Sequence, residues 1–82
     1  MKYKFVSLMG GNKNVVCDSF KEAFTHMYNW VMEEIKAGLS RQALETAIWI
    51  ESENGVEVLY FYEARDRAIN EGIMKDGGGL IE

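Results

Sequence analysis

Eighty-two residues, 48% of them hydrophobic and 12% aromatic, suffice for one core and are too few for two, which excludes several domains and a largely disordered chain. Thirteen acidic and nine basic residues give a net charge of −4, a balance that argues against direct contact with a nucleic-acid backbone, where a basic face is needed. One cysteine, Cys17, excludes an intrachain disulfide, and apolar runs such as residues 47–50 are far short of a membrane span.

The charge is uneven. Residues 1–21 hold Lys2, Lys4, Lys13 and Lys21 against Asp18, a local +3, whereas the remainder holds five bases against twelve acids, a local −7. Between residues 44 and 64 stand Glu45, Glu51, Glu53, Glu57 and Glu63 and no base. That asymmetry fits docking on a basic surface of a partner protein. Residues 1–5 alternate polar and apolar side chains instead of forming the apolar run of a signal peptide, so the expected location is cytoplasmic, with no membrane partner.

In chain order, residues 2–9 read as a strand, with Tyr3, Phe5, Ser7 and Met9 on one side. Gly10-Gly11-Asn12-Lys13 is turn chemistry, and residues 14–17 return as a short second strand. Ser19-Phe20-Lys21-Glu22 is a capping-box pattern that opens a long helix over residues 20–37. Phe20, Ala23, Phe24, Met27, Val31 and Ile35 fall on one stripe of that helix, with Tyr28 and Trp30 at its edges, and Gly38 follows as terminator. Residues 39–44 fit either a short helical turn capped by Ser40 or a loop. The β-branched and aromatic residues 46–51 favour a strand, Asn54-Gly55 a type I′ hairpin turn, and residues 56–62 the returning strand. Residues 64–71 have helical composition and end at Gly72, with Ile73 placed for a hydrophobic contact. Residues 77–82 read as a flexible Gly-rich tail after a single domain spanning 1–76.

A two-residue turn fixes the pairing: Glu51 opposite Val58, Ile50 opposite Leu59, Trp49 opposite Tyr60, Ile48 opposite Phe61. Ile48, Ile50, Leu59 and Phe61 then face the long helix and form core. Trp49, Glu51, Glu53, Val58, Tyr60 and Tyr62 share the opposite face, which one helix layer leaves uncovered. Cross-strand aromatic pairing accounts for such a face in structural terms. Trp and Tyr are also enriched in binding hot spots, which makes those six residues the candidate partner-binding set.

Signals for chemistry are sparse. His26 lies four residues from both Glu22 and Trp30, but no matched nucleophile is evident. Cys17 stands before the helix N-terminus, where the dipole lowers a thiol pKa and Asp18 opposes it. A Cys17–His26 dyad is disfavoured by helical phase, and one Cys with one His falls short of a structural zinc site. Gly10-Gly11-Asn12-Lys13 lacks phosphate-loop spacing.

The sequence therefore predicts an α+β domain with a two-layer arrangement: an antiparallel sheet of three or four strands on one long amphipathic helix, in the order β-β-α-β-β-α, ending in a short helix. The expected function is a non-catalytic, acidic protein-binding module with no cofactor or metal, of the kind a phage or mobile element uses to inhibit a nucleic-acid-binding protein. The alternative is a homodimer formed through the Trp49/Tyr60/Tyr62 face.

Overall fold

A computed structural model describes residues 1–9 and 13–81. It shows an α+β fold with seven elements among those residues: β1 (Tyr3–Ser7), β2 (Lys13–Cys17), α1 (Phe20–Lys36), α2 (Arg41–Thr46), β3 (Ile48–Ser52), β4 (Val58–Tyr60) and α3 (Phe61–Asn70). The strands form one antiparallel sheet in the order β2-β1-β3-β4. The two hairpins thus join along β1 and β3, which pair with Phe5 opposite Ile50. The anticipated glycine turn at residues 10–12 lies outside the described residues.

Helix α1 forms where its caps and stripe direct it. Ser19 Oγ accepts the Glu22 N–H at 3.2 Å, and Glu22 Oε2 accepts the Asp18 N–H at 3.3 Å, so two amides at the helix entrance are satisfied. At the other end Gly38, at φ +98°, allows Leu39 N–H to reach Glu34 O and Gly38 N–H to reach Ile35 O, a Schellman closure. Phe20, Ala23, Phe24, Met27 and Val31 are buried as the stripe requires. Ile35 is instead 46% exposed, whereas Trp30, at the edge of the stripe, is buried edge-to-face with Phe5 at 6.0 Å.

Three boundaries differ from the sequence reading. Residues 41–46 are helical, with Ser40 Oγ accepting the Ala43 N–H at 3.2 Å, so β3 begins only at Ile48. The last strand stops at Tyr60: Glu63 Oε1 accepts the Tyr60 N–H at 3.3 Å and α3 starts at Phe61. The expected Ile48–Phe61 strand pair therefore does not form, although Phe61 is still buried, reaching the core from a helix. The second hairpin turns one residue early, since Gly55 N–H donates to Ser52 O across Glu53-Asn54, and Gly55 takes φ +73°. Its register is nonetheless the anticipated one, with Glu51, Ile50 and Trp49 opposite Val58, Leu59 and Tyr60.

The core fills the layer between sheet and helices, with Phe5, Phe24, Met27, Val31, Ile48 and Ile50 fully buried. At about 1.5–3 kcal/mol for each large apolar side chain, this layer dominates stabilisation. Arg67 links the pieces. Its guanidinium hydrogen-bonds Glu71, Glu57 and the Tyr3 hydroxyl, and its Cζ lies 4.3 Å from the Phe20 ring centroid. The C-terminal residues are drawn back rather than trailing away: Met74 bridges Leu80, and Ile81 N–H donates to Ile73 O at 2.8 Å.

Candidate partner-binding face

Alternation along each strand assigns the two sheet faces. Phe5, Ser7, Cys17, Ile48, Ile50 and Ser52 point inward and are buried. Lys4, Val6, Val16, Trp49, Glu51, Val58 and Tyr60 point outward, and each retains exposure. Three apolar members are well exposed, Val16 by 61%, Val58 by 42% and Tyr60 by 36%, while Val6 and Trp49 are half-buried.

Four of the six residues singled out from the sequence come together here. Trp49 and Tyr60, directly opposite on β3 and β4, place their ring centroids 5.9 Å apart at 56°. Trp49 Nε1–H donates to Glu51 Oε1 at 3.1 Å, which holds the indole along the strand. Val58 lies opposite Glu51 and extends the apolar strip to the sheet edge. Glu53 is at the hairpin turn, exposed, with its N–H donating to Lys2 O at 2.9 Å.

Tyr62 is a correction. It belongs to α3, packs against Phe61 at 5.4 Å, and has the guanidinium carbons of Arg65 and Arg41 at 5.1 and 5.9 Å from its ring centroid. The strand that would have carried it outward ends two residues earlier, so Tyr62 does not share the face of Trp49.

The sequence reading missed the β1 and β2 contribution, Lys4, Val6 and Val16. Their alternation was visible in the sequence, but only the long-range β1–β3 pairing places them beside Trp49 and Glu51. That pairing sets Lys4 directly opposite Glu51 and Val6 opposite Trp49. A shallow depression of about 140 Å³ is bordered by Lys2, Lys4, Glu51 and Glu53. Two bases and two acids thus share one patch, and the face is balanced in charge rather than acidic.

A second cluster lies where β2 meets α1. Cys17, Glu22 and His26 bring a sulfur, a carboxylate oxygen and an imidazole nitrogen within 4.8 Å of one another, with Cys17 buried and the other two exposed. Helical phase had separated Cys17 from His26 on paper. The cysteine is on the strand, not the helix, and the turn through Asp18-Ser19 brings it alongside the first two turns of α1. Burial, then Glu22 and Asp18, push the Cys17 thiol up from its ordinary pKa. Beside His26 runs a groove of about 410 Å³ that includes Lys13, Val15, Asn29 and Trp30.

Compared with known proteins, the chain matches no family model, no curated protein and no solved structure. None of the helices among the described residues is long and apolar enough to cross a membrane.

Proposed function

We propose that this chain is a non-catalytic binding module whose uncovered sheet face is a protein–protein interface, and that its occupant is a second copy of the chain. The observation that carries this reading is the face itself: an aromatic and valine strip, left open by every helix described, with the Lys4–Glu51 pair within it. A two-fold axis brings one copy's face onto the same face of its partner, so Lys4 of each copy can meet Glu51 of the other. A partner with a basic surface gains less from this face, because Lys2 and Lys4 stand beside Glu51 and Glu53 and would repel it.

Size sets the strength. Four strands about 4.8 Å apart, three of five residues and one of three, at about 3.3 Å per residue make a footprint of roughly 300 Å² per copy. Even with side-chain relief, the total falls below the ~1,200–2,000 Å² of standard stable interfaces, so the association is weak and concentration-dependent.

Sedimentation equilibrium from low to high micromolar protein tests this directly. Wild-type chain should shift from monomer towards dimer, and Val58→Lys should remain monomeric. Lys4→Glu and Glu51→Lys should each weaken association, while an equal mixture of the two variants should restore it as a heterodimer. A wild-type chain that stays monomeric at the highest concentration would overturn self-association, and tight capture by a basic partner would restore the docking alternative.

A further inference from the structure

We infer that Cys17, Glu22 and His26 form a binding site for one borderline-soft divalent cation of the zinc type, a role independent of the sheet-face interface. Three different donor atoms from two elements converge within 4.8 Å. Glu22 and His26 are one helical turn apart, the i, i+4 spacing that sets two side chains on one helix face. Cys17 comes from the end of β2, so the ligands join strand to helix. Thiolate, imidazole and carboxylate together suit Zn²⁺ over magnesium or calcium, which prefer all-oxygen shells.

The geometry requires only modest closure. Zinc bonds of about 2.0–2.3 Å in a tetrahedron separate ligand atoms by roughly 3.3–3.8 Å. Glu22 and His26 are both exposed, and rotation of their side chains can supply the difference without moving the backbone. The capping bond from Asp18 N–H uses only one carboxylate oxygen of Glu22, leaving the other free to ligate. The fourth position is left for water or an incoming ligand. On binding, the Cys17 S–H bond breaks, the sulfur keeps the electron pair and donates it to the metal, and the proton passes to solvent. The Glu22 and Asp18 carboxylates, which oppose a free thiolate, favour a cation at the same place.

Co²⁺ is the probe, since a thiolate ligand gives it a charge-transfer absorption band. The full chain should develop that band up to one equivalent of Co²⁺, and Zn²⁺ should abolish it by displacement. Cys17→Ser should lose the band. His26→Ala and Glu22→Gln, both at exposed positions, should keep native circular dichroism and weaken Co²⁺ binding by about tenfold or more. These two variants keep the test decisive if Cys17→Ser fails to fold. No band at saturating Co²⁺ would overturn the assignment. So would a band that His26→Ala and Glu22→Gln leave unchanged, or one that saturates at half an equivalent and so belongs to a site between chains.

Discussion

The Trp49–Tyr60 pair separates a structural role from an interfacial one, and a double-mutant cycle measures both. In the monomer the two rings are 5.9 Å apart at 56°, in the tilted range where aromatic pairs contribute about 0.5–1.5 kcal/mol beyond area burial. Trp49 also donates to Glu51 at 3.1 Å, a bond to a charged acceptor that is partly wet and contributes about 1 kcal/mol. Trp49→Ala should therefore cost about 2–3 kcal/mol once the lost contact area is included, and Tyr60→Ala about 1–2 kcal/mol. The double variant should cost less than the sum by the pair coupling, about 0.5–1.5 kcal/mol. Urea unfolding at low micromolar protein isolates the monomer and reads these values as midpoint shifts at constant slope. Repeating the cycle at high micromolar protein adds the linkage of dimerisation to folding, so the wild-type midpoint should rise while the variants' midpoints stay put. A coupling near zero in the dilute cycle would refute the claim that the pair braces the sheet. Identical results at both concentrations would refute the interfacial role.

Further outcomes follow from local geometry. Ser19→Ala removes the acceptor of the Glu22 N–H and should cost about 0.5–2 kcal/mol in the same urea assay. Gly55→Ala places a Cβ at φ +73°, where space is open but the backbone is strained, and should lower stability by about 1 kcal/mol without changing the hairpin register seen by NMR. Cys17 gives a pH dependence with a definite sign. Its folded pKa is raised, so the native chain holds the thiol proton more tightly than the unfolded one, and stability falls as pH rises through the ordinary thiol range towards the higher folded value. In metal-free buffer Cys17→Ser should flatten that part of the stability–pH profile, and an unchanged alkaline slope would assign it to other groups.

What was legible in the sequence was whatever neighbouring residues decide among themselves. Ser19, Glu22 and Gly38 bound α1 because caps act over three or four residues, and the stripe from Phe20 to Val31 follows from helical pitch alone. The register that puts Trp49 opposite Tyr60 is the anticipated one, although the chain turns over Glu53-Asn54 and residues 53–56 form the loop. Tyr62 shows where local reasoning stopped: its aromatic composition favours a strand, yet Glu63 reaching back to Tyr60 and the burial of Phe61 started a helix there.

The candidate sites required the tertiary structure. Lys4 and Glu51 are 47 positions apart in the chain, and only the β1–β3 ladder turns two separate hairpins into one face with those two residues opposite each other. Cys17 and His26 are near in sequence but were set apart by helical phase, until the strand end carried the sulfur beside the helix. Caps, pitch and turns are short-range and each leaves its mark on adjacent residues. The pairing of distant strands is chosen by the shared burial of Phe5, Ile48 and Ile50 under α1, a collective property of the whole core. By itself, then, the sequence determined the helix, the hairpin register and the inward face; the packed chain decided which outward residues became neighbours.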